Sequence, residues 1–189
     1  MTRSLFVAAV LVLSLFATGG SAAAAEDLQF ERFPQPAQTT QFHDDYGNAR
    51  RGHRHQGNDI FGAKGDPVVA VLGGVVKTID SGPTAGNFVI IEHAGGWETW
   101  YLHLKNDSPG TDNGRLGPEH AIGSRIEEGF YVPAGGIVGF VGDSGNAEGT
   151  EPHTHFELHH NGSTVNPYPY LIGVWTLEQQ AMERLGAIL

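Results

Sequence analysis

Glycine most narrows what this chain can become: 27 of its 189 residues are glycine, against 10 prolines. Glycine supplies tight turns and close backbone approaches and weakens helix interiors. A glycine-rich chain with ordinary proline content therefore points to short strands joined by turns, not to a helical bundle or a low-complexity linker. With 40% hydrophobic and 17% charged residues there is enough apolar material for one buried core. The expected fold is all-β, or at least β-rich.

The formal net charge is −10, from 11 basic and 21 acidic residues. Partners gripped through their phosphates need clustered lysine and arginine, so neither nucleic acid nor an anionic membrane surface is an expected partner. The chain has no cysteine. Disulfides, thiolate nucleophiles, iron–sulfur clusters and cysteine-type zinc sites are thereby excluded, and a tight metal site must use histidine and carboxylate. Ten histidines make that alternative worth pursuing.

Residues 1–25 read as a secretory signal peptide, with Arg3 ahead of an apolar run from Leu5 to Ala17 and a small-residue cleavage site at Ala23-Ala24-Ala25. Export to the periplasm, cell wall or extracellular space is the expectation, and after cleavage the protein is not expected to be an integral membrane protein. Residues 26–45 are polar and aperiodic and are expected to lie as an arm over a domain spanning 46–189. Within that domain, 68–79 predicts two short strands meeting at a bend. The apolar runs 88–93 and 97–104, joined by Ala94-Gly95-Gly96, predict a hairpin. Residues 105–128 predict a long loop at the edge of a groove. Further strands are expected at 136–141 and 154–158. Thr176 and Gln179 are spaced as a capping box ahead of Leu177, Ala181, Leu185 and Ile188, which predicts a short C-terminal amphipathic helix.

Three segments concentrate the chemistry: HQGND (His55 to Asp59), WYLHL (Trp100 to Leu104) and PHTHFEL (Pro152 to Leu158). Strand alternation in the third puts Thr154, Phe156 and Leu158 on one face and His153, His155 and Glu157 on the other. One of the two histidines can then bind a metal while the other reaches its water. In the second, Trp100, Leu102 and Leu104 are expected on the buried face, with His103 beside Tyr101 opposite. In the first, a bend near Gly57 is needed to bring His55 and Asp59 together, and the missing side chain is expected to leave room for an ion.

Taken together these residues resemble the lysostaphin-type, or LytM-like, zinc metalloendopeptidases that cut the peptide part of bacterial peptidoglycan. The resemblance runs from about Phe42 to Leu171 and includes the arginine-rich approach to HQGND, GDPVVAVLGGVV, YLHL, AGGIVGFVGDSGN, PHTHFEL and the trailing Val165-Asn166-Pro167. It implies an antiparallel sheet with a groove over one zinc ion held by His55, Asp59 and His155. It also implies that His103 and His153 act on the zinc-bound water and the developing oxyanion. The substrate implied is a peptide bond in peptidoglycan stems or cross-bridges. A departure at Asn58, where the family has an aliphatic residue, and another at Thr154 lie outside the implied ligands and bear on substrate detail. The rival implied by the family is a silent member that binds and activates another wall hydrolase; retention of all five residues weighs against it. A histidine-based zinc buffer would be expected to cluster its histidines in a disordered tract.

GDSGN at 142–146 falls short of the serine-hydrolase G-x-S-x-G pattern and sits in a turn, and no HExxH is present. His159 and His160 run into Asn161-Gly162 and are expected to be solvated, outside any metal site. His43, His53, His93 and His120 have no partner at informative spacing and are expected in surface or hydrogen-bonded roles.

Overall fold

Six strands between 74 and 165, with a seventh at 58–61, assemble into a seven-stranded antiparallel sheet. The computed structural model describes residues 28–36 and 40–187, so the leader expected over 1–25 lies outside the described residues. In chain order the strands are β1 (Ala49–Arg50), β2 (His53–Arg54), β3 (Asn58–Phe61), β4 (Pro67–Val69), β5 (Gly74–Gly82), β6 (Gly86–His93), β7 (Trp97–Leu104), β8 (Tyr131–Val132), β9 (Ile137–Phe140), β10 (His153–His160) and β11 (Ser163–Val165), followed by helix α1 (Tyr168–Gly186). Strand β10 is the axis. Its one edge pairs with β7; the other is shared by β3, along its first half, and β11, along its second. Beyond β7 follow β6, β5 and β8, while β1–β2 and β4–β9 form two small sheets of their own.

One face of the sheet presents Val76, Val89, Ile91, Tyr101, Phe156 and Leu158 to the core. Val68, Val71, Val138 and Val141 cover it, and α1 adds Leu171 and Val174. The stretch ahead of β1 lies against this body, with Phe30 and Phe33 in the same cluster. The Tyr101 hydroxyl accepts the Val71 N–H at 3.0 Å, tying the sheet to its cover by a buried hydrogen bond.

Strand β7 departs from the expected parity. Tyr101 and Leu104 are fully buried in the core, while Leu102 is buried outside it, on the face that carries Trp100. The cause is a β-bulge. Asn87 pairs with Leu104 but Val89 pairs with Tyr101, leaving Leu102 and His103 opposite the single residue Phe88. His103 takes φ +59°, in the left-handed region. Leu102 and His103 can then share the open face before Leu104 returns to the core.

Helix α1 also differs from expectation. It starts at Tyr168, where the Asn166 side-chain oxygen accepts the Tyr168 N–H at 2.9 Å, and Thr176 lies in its interior with the hydroxyl donating to the Ile172 carbonyl at 2.7 Å. The helix docks through Leu171 and Val174, so Leu177, 67% exposed, and Leu185 face solvent. Ile188 lies outside the described residues. A Thr-x-x-Gln spacing occurs by chance inside helices, whereas Asn166-Pro167 carries the real start signal.

The long stretch 105–128 is anchored at several points. Ala121 and Ile126 are buried in the core. Asp107 Oδ1 accepts the N–H groups of Asn113 and Gly114 at 2.7 and 2.9 Å, and its Oδ2 accepts Lys64 Nζ at 2.9 Å.

The bend at Gly57 is present, but its physical reason is not room for an ion. A Cβ at Gly57 would run into the Phe156 carbonyl of β10. The glycine is what allows the chain to enter β3 hard against β10. Gly57→Ala is therefore expected to destabilise the fold by about 1–3 kcal/mol through overpacking against a backbone atom. Urea unfolding of the metal-free protein measures this; wild-type stability in that variant would contradict it.

Candidate metal centre

The β3–β10 register sets Asp59 directly opposite His155. His55, on the far side of the Gly57 bend, folds back onto both. His55 Nε2 lies 2.9 Å from His155 Nδ1 and 3.1 Å from Asp59 Oδ1, and His155 Nδ1 lies 2.9 Å from Asp59 Oδ1. Three donor atoms thus converge from two strands and a loop. Ligands around a tetrahedral zinc with bonds of about 2 Å stand roughly 3.3 Å apart, so the cluster is close to the size such an ion requires. Two imidazoles and a carboxylate also suit zinc chemically.

Each of the three has its other polar atom tied outside the cluster. His55 Nδ1 is 3.0 Å from the Asp45 carbonyl and 3.2 Å from its carboxylate, leaving Nε2 to face inward. His155 is held the other way round: its Nε2 donates to Glu157 Oε1 at 2.9 Å, so Nδ1 faces inward. Asp59 Oδ2 accepts Arg50 Nη2 at 2.7 Å, leaving Oδ1 for the site. Asp45 is itself steadied by Asn58, whose amide donates to Asp45 Oδ1 at 2.8 Å and to the His43 carbonyl at 3.1 Å. Outer partners of this kind select the tautomer and aim the lone pair of a metal ligand.

The same contacts set the proton affinities. Burial opposes a charge on His55, but hydrogen bonds to Asp45 and Asp59 outweigh it and push the ring up to about 9. Burial would raise Asp59, yet the hydrogen bonds from His155 and His55 hold it far below the usual carboxylate range. His155 is raised against burial by Asp59 and Glu157. Glu157 is held down to about 2, against burial, by His155 and His159.

His103 and His153 flank this cluster. Their ring centroids are 5.1 Å apart, and that of His103 is 5.8 Å from His155. His103 Nδ1 donates to the Ser144 carbonyl at 2.9 Å and its backbone N–H to the Ala85 carbonyl at 2.9 Å. His153 Nδ1 donates to the Glu151 carbonyl at 2.8 Å, and its Nε2 lies 3.8 Å from Asp59 Oδ1. A carbonyl can only accept, so both rings carry their proton on Nδ1 and leave Nε2 free. Burial first, then the neighbouring His153 and His155, press His103 down to about 4.

All five residues singled out from the sequence are thus brought into one place. Several partners were not visible there. Asp45 and Arg50 reach the site only through the fold of the chain ahead of β2. Glu157 was legible in part, because it shares the strand face of His155. Ser144, set aside with the GDSGN turn, anchors His103: its hydroxyl donates to the Leu104 carbonyl at 2.6 Å and accepts the Asn87 N–H at 2.9 Å. Asn58 faces Asp45 and is fully buried. Thr154 is also fully buried, on the core side. His159 corrects an expectation. It is 8% exposed rather than solvated, its Nε2 bonded to Glu157 Oε2 at 2.6 Å, because the strand continues through it before the turn begins. His93 is buried and hydrogen-bonded to the Gly73 carbonyl and Thr99.

Among the described residues a second acidic group, Asp107, Asp112 and Asp143, converges at 2.9, 2.7 and 2.7 Å on Lys64 Nζ, which stands where a cation would. Beside the His103 anchor, a cleft of about 440 Å³ opens between the β5–β6 turn, Asn106 to Leu116 and Ser144 to Glu148.

Comparison with known proteins agrees with this geometry. Residues 53–115 match Peptidase family M23. The chain is 35% identical over 113 residues to the DD-carboxypeptidase/endopeptidase Mpg of Neisseria meningitidis serogroup B, a match covering 60% of this chain and 22% of that protein. The chain thus spans about a fifth of the length of the curated relatives it matches. Among solved structures it is similar to a mutant catalytic domain of the prophage-encoded M23 protein EnpA from Enterococcus faecalis, with 31% identity, 72% of this chain and 95% of that chain covered, and a TM-score of 0.56. It is likewise similar to the catalytic domain of lysostaphin from Staphylococcus simulans, with 26% identity, 72% and 98% coverage and a TM-score of 0.53. With an antiparallel β fold, a His-Asp-His cluster and a near-complete match to an M23 catalytic domain, the chain belongs to peptidase family M23.

Proposed function

We propose that this protein is an exported zinc metalloendopeptidase that hydrolyses peptide bonds in peptidoglycan stems or cross-bridges. The observation that carries the reading is the inward convergence of His55 Nε2, Asp59 Oδ1 and His155 Nδ1, each with its outer atom tied, beside two histidines with free Nε2 atoms. A zinc ion held there supplies a Lewis acid and draws the pKa of water down towards about 7. His103 and His153, each locked by a backbone carbonyl at Nδ1, exchange protons with water and substrate at Nε2. Neutral at pH 7, His103 can accept a proton there. The ring lies within the fold, where its orientation is fixed before substrate arrives. A silent, activating family member needs none of this proton machinery.

Digestion of purified cell wall followed by mass spectrometry of the released ends tests the reaction itself. New amino and carboxyl termini within the peptide support it, and an unchanged wall refutes it. The division of labour is tested by two variants. His155→Ala is expected to lose zinc; His103→Ala is expected to keep zinc and lose about 10²- to 10⁴-fold in turnover. Loss of zinc in both would make His103 a ligand.

Proton competition gives an independent check. Since the metal-free His55 titrates near 9, a cation entering below that pH must displace its proton, and affinity falls as pH falls. Zinc affinity, measured by chelator competition, is expected to rise by roughly tenfold per pH unit for each proton displaced between about pH 6.5 and 9. A flat profile across that range would contradict the assignment of His55.

A further inference from the structure

The carboxylate of Glu157 is held from two sides. Oε1 takes His155 Nε2 at 2.9 Å and Oε2 takes His159 Nε2 at 2.6 Å. An ionised carboxylate only accepts, so both rings donate from Nε2. All three side chains are buried, at alternate positions on one face of β10. His159 is fixed in its turn. Its ring stacks on Trp100 of β7, with centroids 4.3 Å and planes 13° apart. The Trp100 indole N–H donates to Glu98 Oε2 at 2.9 Å, and Glu98 Oε1 accepts Lys77 Nζ at 2.6 Å. A continuous line of contacts therefore runs from the surface at Lys77 to the inner edge of His155.

We propose that His159 is a positioning residue of the metal centre: by holding Glu157 it keeps His155 donating at Nε2, and so keeps His155 Nδ1 turned towards His55 and Asp59. The proposal rests on the reading of His155 as a ligand. Packing against Trp100 would be served by any flat ring at position 159, but only a donor at the Nε2 position satisfies Glu157 Oε2. Without that donor, a buried carboxylate oxygen loses its partner and the group can turn away from His155. Metal ligands aimed by such outer partners lose affinity when the partner is removed.

The test compares His159→Phe, which keeps the ring and removes the donor, with His159→Gln, whose amide nitrogen reaches the Nε2 position. His160→Ala, the next residue on the same strand, is the control. Zinc affinity of each full-length protein is measured by chelator competition, together with the visible spectrum of the cobalt-substituted form and the thermal midpoint without metal. The Phe variant is expected to bind zinc about 10- to 100-fold more weakly and to shift the cobalt spectrum, with the Gln variant within about threefold of wild type. The control is expected to match wild type. Should the Phe variant fail to fold, His159→Asn, whose donor falls one bond short, takes its place against His159→Gln. Wild-type affinity in the Phe or Asn variant, with His155→Ala having lost the metal, overturns the positioning role and leaves the ligand reading intact. Equal weakening in the donor and donor-free variants also overturns it. Zinc retained in His155→Ala overturns the ligand reading itself.

Discussion

The antiparallel pairing of β3 with β10 is the constraint on which the centre depends. It sets His155 opposite Asp59 and, by alternation, places His153, Glu157 and His159 on the same face as His155. A slip of one residue would turn that whole set into the core and bring Phe156 and Leu158 out to solvent. The fully buried Phe156 and Leu158 therefore hold the register, and through it the His-Asp-His cluster on the opposite face. Gly57 contributes the other half, since only a residue without a side chain lets β3 begin against the Phe156 carbonyl. The geometry of the His-Asp-His cluster is a by-product of core packing on the opposite side of one strand.

Electrostatics then explain how so many charges share one buried place. In the metal-free state His55, His155 and Arg50 face Asp45, Asp59 and Glu157, and each histidine is favoured in its charged form by the carboxylates that hold it. Positive and negative groups balance. Departure of two imidazole protons would offset the charge of a divalent cation held there, so binding one would not change the net charge the fold must bury. Arg50 is the outermost member, with its side chain 42% exposed, and solvent screens much of its contribution. Its geometric effect remains, because it occupies Asp59 Oδ2 and leaves Oδ1 as the inward atom.

Much of the centre was legible in the sequence because its residues lie in short motifs. H-x-x-x-D and H-x-H place their members within one bend or one strand, where periodicity alone decides which side chains stand together. The hairpin of β6 and β7 was legible for the same reason. What the sequence hid was contact at long range. Asp45 and Asn58 meet only because the chain ahead of β1 folds back beside β3, and Ser144 meets His103 across 41 positions. The C-terminal helix was found but misplaced: Thr176 satisfied a local capping rule, while the burial of Leu171 and Val174 decided where the helix begins and which face it hides.

His103 shows why strict alternation was bound to fail where it mattered most. A regular β7 would have to place His103 with Tyr101, on the core side, since Trp100 and Leu102 occupy the face of His155. Bringing His103 round to His153 and His155 needs one extra residue on β7, and the bulge opposite Phe88 supplies it. The left-handed conformation this imposes on a non-glycine residue costs about 1–2 kcal/mol. Hydrogen bonds from His103 to the Ala85 and Ser144 carbonyls hold it there, and Ser144 is braced in turn between the Leu104 carbonyl and the Asn87 N–H. A glycine at 103 would take the backbone without strain but would bring no imidazole, so the strain is the cost of placing a ring beside His153 and His155 at the one point the pleat does not reach.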